Sequence, residues 1–389
     1  MKKWIILGIV AVLVVGAFIV LDVVAKRAAN RMNQVHGGAP YTPTKRGAAL
    51  HSELFIADLH ADPLLWNRDL NERSSQGHVD VPRLLEGNVA LQIFSVVTKT
   101  PKNMNTESND DTTDDIQLLS FAQRWPPSTW FSLKARALYQ AKKLANTVED
   151  SEGRLVFIRT RPELERFLAE REKDPGKVGA LLSLEGMQAL EGKVEAVDAL
   201  YDAGFRMLGF AHFFDNEVSG SAHGVKKEGL TELGRAVVKR MEERGMTLDL
   251  AHASRKTFEE VLALATRPVV VSHTGVKGTC DNNRNLSDSQ LRAIIRNGGM
   301  VGIGYWSTAT CGKDAKAVAR AIRHAVSVAG IDHVGLGSDY DGAVAVPFDT
   351  AGLVEVTDAL LAEGFGEGEI RKIMGENALR VLRGNLPAQ

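Results

Sequence analysis

Eight apolar runs of strand length punctuate the chain, and each ends in, or leads straight into, a residue able to bind a metal, move a proton or grip an anion. They are LFIADLHAD (Leu54 to Asp62), VALQIFSVVT (Val89 to Thr98), VGALLSLEG (Val178 to Gly186), RMLGFAH (Arg206 to His212), MTLDLAH (Met246 to His252), PVVVSH (Pro268 to His273), MVGIGY (Met300 to Tyr305) and HVGLGSD (His333 to Asp339). Stretches with helical periodicity separate most of them. The pattern predicts an α/β fold of the (β/α)8 TIM-barrel type, in which functional groups collect at the carboxyl ends of the strands. A further short run, LVFIRT (Leu155 to Thr160), either decorates the barrel or joins it, and in joining would displace one of the eight.

The remaining pattern divides the chain. Residues 1–25 open with MKK and continue as WIILGIVAVLVVGAFIVLDVVA, interrupted only by Asp22, long enough for an uncleaved transmembrane helix. A cleaved signal peptide is the other reading, with Val23-Val24-Ala25 as the cleavage site. Lys2 and Lys3 precede the span while Lys26, Arg27 and Arg31 follow it, so charge alone sets no orientation. Residues 26–48, including HGGAPYTPTKRG, read as a tether, and residues 49–389 as the barrel. The largest insertion is 101–153. Its first half, KNMNTESNDDTTDD, reads as a solvated loop, and its second half as two helices broken at Pro126-Pro127. Trp125, Trp130 and Phe131 are expected in the core rather than at a pocket mouth.

Composition narrows the class. A chain of 389 residues, 44% hydrophobic, holds one barrel with extras, and no internal repeat is evident. A formal charge of −1 gives no sign of a nucleic-acid partner. There is no CxxC pair, no P-loop and no GxGxxG opening a helix after a strand.

The strand-end residues point to metal chemistry. His60 and Asp62 share a face, being two residues apart on a strand, and suit one ion. Glu185, His252 and His273 add a carboxylate and two imidazoles from later strands. Five such ligands exceed what one catalytic zinc takes from protein. Two ions sharing a bridging Glu185 accommodate them, with His60 and Asp62 on one, His252 and His273 on the other, and a hydroxide between as nucleophile. The bland alternatives are a cap for the helix near Gln188, an N-cap turn at HAD before Pro63, and histidines that merely hydrogen-bond at the barrel rim.

From about residue 53 onward the chain resembles the membrane dipeptidase (renal dipeptidase) family of dizinc metallopeptidases. The matching segments are DLHADPL, SLEGMQAL, RMLGFAHFFDN, LDLAHAS, VVVSHTG, NRNLSD, GLGSDYDG and GENALRVL. The resemblance implies a metal-dependent hydrolase barrel with two Zn2+ per chain on His60, Asp62, Glu185, His252 and His273. It also implies His212 as a substrate-binding imidazole, Arg284 as the grip on the substrate carboxylate, and Asp339 as the acid facing the nucleophile. Arg284 could alternatively pair with Asp281 or Asp288 on its loop. The DYDG run lacks the further ligands of a calcium loop.

The resemblance further implies a disulfide between Cys280 and Cys311, the only cysteines, although two buried free thiols remain an alternative. A disulfide fits an exported catalytic domain on the periplasmic side of a bacterial inner membrane, or a secreted one if the N-terminus is cleaved. A homodimer is left open. Hydrolysis of dipeptides, including those with a C-terminal D-residue, is the expected activity. The alternatives are another dizinc hydrolase acting on an amide, lactone or phosphoester, and a membrane-tethered binding protein with a dead site.

Overall fold

The computed structural model describes residues 2–389, without the side chains at positions 2, 3, 7, 10–15 and 17. All eight apolar runs form parallel strands. They are β1 (Ile56–Ala61), β2 (Val89–Phe94), β4 (Val178–Leu184), β5 (Phe205–Gly209), β6 (Thr247–Asp249), β7 (Val270–Thr274), β8 (Met300–Ile303) and β9 (Val334–Leu336), with β3 (Leu155–Phe157) as a ninth. The order β1-β2-β4-β5-β6-β7-β8-β9 returns to β1, closing an eight-stranded barrel. Every residue of those eight strands is buried, since helices cover the outside while side chains fill the inside.

LVFIRT decorates the barrel. Its strand, β3, pairs with Val178, Gly179 and Ala180 of β4, on the edge that β5 takes up from Leu182 onward. The barrel closes past it through the β2–β4 pairing, so none of the eight runs is displaced.

Polar residues at the ends of several loops start the helices that pack around this core. Ser254 caps Arg255–Leu264, Ser287 forms a capping box with Gln290 before Asp288–Asn297, and Asp314 caps Ala315–Ala329. The insertion holds helices Asp115–Ala122 and Leu133–Asp150 on either side of the Pro126-Pro127 break. Trp125 is buried beside Leu65, Trp66, Val97 and Ile116, as the core reading requires. Phe131 is the correction: it is 80% exposed. It lies in the short link before Leu133, where its ring meets Phe121 edge-on at 6.3 Å. Trp130 is half-buried against Phe121.

A helix runs from Lys2 to Met32, beyond the boundary at residue 25 that the apolar run suggests. No helix among the described residues is long and apolar enough to cross a membrane. Many of the side chains in the expected span lie outside the described residues, and the described ones do not support the transmembrane part of the fold expectation. The stretch read as a tether is partly docked. Asn33 Oδ1 accepts from the Ala343 amide at 2.9 Å, and the His36 and Gly37 amides donate to the carbonyls of Val346 and Pro347 at 2.8 Å each. Cys280, after β7, and Cys311, after β8, are joined as a disulfide.

Candidate metal centre

The barrel brings the strand-end residues into one buried cluster at its carboxyl rim. β1 supplies His60, and Asp62 follows it, with Nε2 and Oδ2 3.3 Å apart. Glu185, directly after β4, stands at the middle, and its two oxygens face different partners. Oε1 lies 3.1 Å from His252 Nε2 and 3.3 Å from His273 Nε2. Oε2 lies 3.7 Å from His60 Nε2 and 3.5 Å from His212 Nε2. Asp339, just past β9, places Oδ1 4.0 Å from His60 Nε2.

The donor set fits divalent cations. Asp62 Oδ1 and Oδ2, Glu185 Oε1 and His60 Nε2 are buried without hydrogen-bond partners, an arrangement that costs several kcal/mol per group unless a positive charge satisfies it. Three overlapping sets have ligand atoms mutually within 4.8 Å: His60, Glu185 and His273; Glu185, His212 and His252; and His60, Asp62 and Asp339. His252 and Asp339 reach the cluster from a left-handed backbone, each with φ near +60°. Such a conformation costs a non-glycine residue about 1–2 kcal/mol. Gly342 leaves room for the Asp339 and Asp62 carboxylates, because a Cβ there would stand 2.2 Å from Asp339 Oδ1 and 2.9 Å from Asp62 Oδ2.

The electrostatics favour lone-pair donation from Glu185, His252 and His273, whereas at His60 burial is outweighed by the Asp62 and Glu185 carboxylates, which raise its pKa well above the usual imidazole value. Burial holds the His252 and His273 imidazoles well below their usual pKa, so both are neutral. Burial alone would raise Glu185, but the neighbouring imidazoles, His212 and His60 foremost, outweigh it and keep the carboxyl ionised. Burial, reinforced by the Asp62 and Glu185 carboxylates, raises Asp339 well above the ordinary carboxyl range. Neutral imidazole and ionised carboxylate are the forms that bind metal.

Arg284 is buried, and none of the carboxylates on its loop neutralises it. Asp281 pairs instead with Lys277, and Asp288 with His324 and Arg292. The loop salt bridge is therefore absent among the described residues. One guanidinium nitrogen donates to the His273 carbonyl at 2.7 Å, and the group lies over the Trp306 ring, 5.4 Å from its centre. The bond to His273 places it beside the cluster, and burial lowers its pKa, opposed first by Asp339 and then by Glu185.

Four residues of the site have no role in the sequence reading, although Asp58, Asp249 and Ser272 lie inside the matching segments DLHADPL, LDLAHAS and VVVSHTG. Asp58, two before His60, is buried and accepts from Gln92, the Ser338 amide and the Ser338 hydroxyl. Asp249 and Ser272 connect β6 to β7 beneath the ligands, with Ser272 Oγ 2.6 Å from Asp249 Oδ2. His223 is buried with its ring centre 5.2 Å from that of His252, and its Nδ1 lies 2.7 Å from the Thr106 carbonyl of the insertion. The available signal was period two for Asp58 and the oddity of an aspartate inside an apolar strand for Asp249. His223 gave none, because its loop has no periodicity. On the other flank, Lys143 Nζ donates to the Leu64 and Trp66 carbonyls at 2.6 and 2.7 Å, fastening the turn after Asp62; burial pushes its pKa down to about 7.

Comparison with known proteins adds to this geometry. The profile of the family described as Membrane dipeptidase (Peptidase family M19) matches residues 44–386. Dipeptidase aclJ of Aspergillus oryzae is 26% identical over 352 residues, covering 84% of this chain and 77% of that protein. The crystal structure of dipeptidase AC, a metallopeptidase of family M19, superposes with a TM-score of 0.72 at 27% identity, covering 86% of this chain and 99% of that one. A metallopeptidase from Rhodobacter sphaeroides, liganded with a phosphinate mimic of the dipeptide L-Ala-D-Ala, gives 0.71 at 26% identity, covering 85% and 99%.

Proposed function

Because the chain belongs to the membrane dipeptidase family, peptidase family M19, and is thus a metallopeptidase of a dipeptide-hydrolysing family, we propose that it uses two zinc ions to cleave dipeptides, including those ending in a D-residue. The carrying observation is Arg284, a buried cation with no carboxylate partner on its loop, set beside a buried cluster of metal-type ligands. His60 and Asp62 would hold one ion and His252 and His273 the other, with Glu185 between them, one carboxylate oxygen facing each group. Bound there, the ions supply Lewis acidity that activates water and polarises the scissile carbonyl.

The chain's own groups do the rest. Arg284 presents a planar fork to the free carboxylate of a short peptide, fixing its length by fixing its end. His212 stands against Glu185 Oε2, where it can donate to the oxyanion that develops at the scissile carbonyl. Asp339 accepts a proton from the attacking water and returns it to the leaving amine. The ligand of the Rhodobacter sphaeroides relative, a mimic of L-Ala-D-Ala, supports tolerance for a D-residue at the second position.

We further propose that the N-terminal helix anchors the enzyme, with the barrel on the oxidising, periplasmic side of a bacterial inner membrane. Trp4, Ile5, Ile6, Ile9, Ile19 and Val20 are all more than half exposed, an apolar surface that a bilayer would cover. The disulfide supports the exported side.

The test of substrate class uses dipeptides against their C-terminal amides. Amides are expected to react poorly, and Arg284→Ala should lower kcat/KM on dipeptides by roughly two orders of magnitude, the value of a lost charge-assisted contact. Equal rates on a dipeptide and its amide would sink the assignment and favour a hydrolase for a substrate lacking a carboxylate.

A further inference from the structure

The two ligand sets share more than Glu185. His60 and His273, assigned to different ions, turn their Nε2 atoms toward the cluster and their Nδ1 atoms toward one hydroxyl. Ser272 Oγ lies 3.0 Å from His273 Nδ1 and 3.4 Å from His60 Nδ1, and the two rings sit 3.8 Å apart centre to centre. Ser272 and both histidines are buried to within 1%.

A serine hydroxyl carries one proton and two lone pairs. Asp249 determines where the proton goes. Its Oδ1 accepts from the amides of Ala251 at 3.0 Å and Ser272 at 2.9 Å, and its Oδ2 lies 2.6 Å from Ser272 Oγ. Burial raises the Asp249 pKa while its three donors oppose that rise, and in the ionised form the carboxylate only accepts, so the Ser272 proton points to Asp249 and both lone pairs remain for the imidazoles. Each imidazole must then carry its proton on Nδ1 and keep its lone pair on Nε2, the atom aimed at the cluster. A Cβ at Gly302 of β8, or at Gly337 just past β9, would come within 2.2 or 2.0 Å of the Ser272 carbonyl, so glycine at both positions leaves that carbonyl room.

We infer that Asp249 and Ser272 are positioning residues that set, through one hydroxyl, the tautomer of one histidine ligand on each of the two ions. Neither touches an ion, yet both sites depend on them. The inference rests on the two-ion reading above and deepens it.

The consequence separates it from ordinary scaffolding. Asp249→Asn keeps the shape and can keep every hydrogen bond by count, but its amide NH2 donates to Ser272 Oγ. The serine proton must then turn to a histidine, forcing that ring toward the wrong tautomer. A carboxylate that merely ties β6 to β7 would tolerate this exchange.

The experiment is a competition titration of metal-free full-length protein with Zn2+ against a chromophoric chelator, read as stoichiometry and two dissociation constants, with no substrate present. Wild type should take up two ions. Ser272→Ala, which removes one atom, should weaken both sites by roughly 10- to 100-fold, the range for loss of a group that orients a ligand. Asp249→Asn should do at least as much. The double variant should be no worse than Ser272→Ala alone, since Asp249 acts through the hydroxyl; circular dichroism on the metal-free proteins checks that each is folded. Two tight ions in both single variants, weakening of one site only, or full additivity in the double variant would each overturn the inference. A wild type that binds one ion overturns it differently, by removing the two-ion reading itself.

Discussion

Glu185→Gln should cost the protein metal at both sites together and lower kcat/KM by roughly three orders of magnitude or more, because the metal-dependent part of the barrier is worth several kcal/mol. The reason is the division of labour between its oxygens. Oε1 faces His252 and His273 while Oε2 faces His60 and His212. A glutamine offers one oxygen and one NH2, and the NH2 cannot face a cation on either side. His60→Ala, by contrast, should empty mainly one site. Elemental analysis of the purified variants decides it: two tightly held ions in Glu185→Gln would show that the carboxylate is not shared.

Asp339→Asn and His212→Ala should be folded, metal-loaded and nearly inactive. Loss of a proton-transfer group costs about 10²- to 10⁴-fold, and loss of an oxyanion donor raises the barrier by about 2–4 kcal/mol. Metal content and turnover must be measured on the same preparation. Asp339 Oδ1 stands only 4.0 Å from His60 Nε2 and groups with His60 and Asp62, so a ligand role has a specific observation behind it. An Asp339→Asn protein that arrives one ion short assigns Asp339 to the ligand set, and another group must then carry the proton. High residual activity in His212→Ala makes that imidazole structural.

Much of the barrel and the cluster was legible along the chain because the barrel converts order into place. Each apolar run had to be a strand, and all strands point the same way, so the residues that end them must meet. His60, Asp62, Glu185, His212, His252, His273 and Asp339 could be collected without knowing a single distance. What failed to show were relations across the barrel. Asp249 and Ser272 sit inside runs that read as plain strand, and nothing in their order says that one hydroxyl lies between the rings of His60 and His273. LVFIRT was ambiguous for a related reason: its three paired residues share an edge of β4 with β5, and only register distinguishes decoration from membership. Phe131 misled because aromatic spacing records apolarity and not whether a neighbour exists to cover it.

The left-handed backbones of His252 and Asp339 set stability and function against each other. A net folding free energy is typically about 5–15 kcal/mol, so two residues each strained by about 1–2 kcal/mol weigh appreciably on this chain. Glycine at either position would relax the main chain and delete the side chain that the turn exists to present. Selection of variants for thermal tolerance alone should therefore enrich well-folded, inactive proteins changed at these two positions, and a thermostable version of this enzyme is better sought by leaving both turns strained and reinforcing the helices around them.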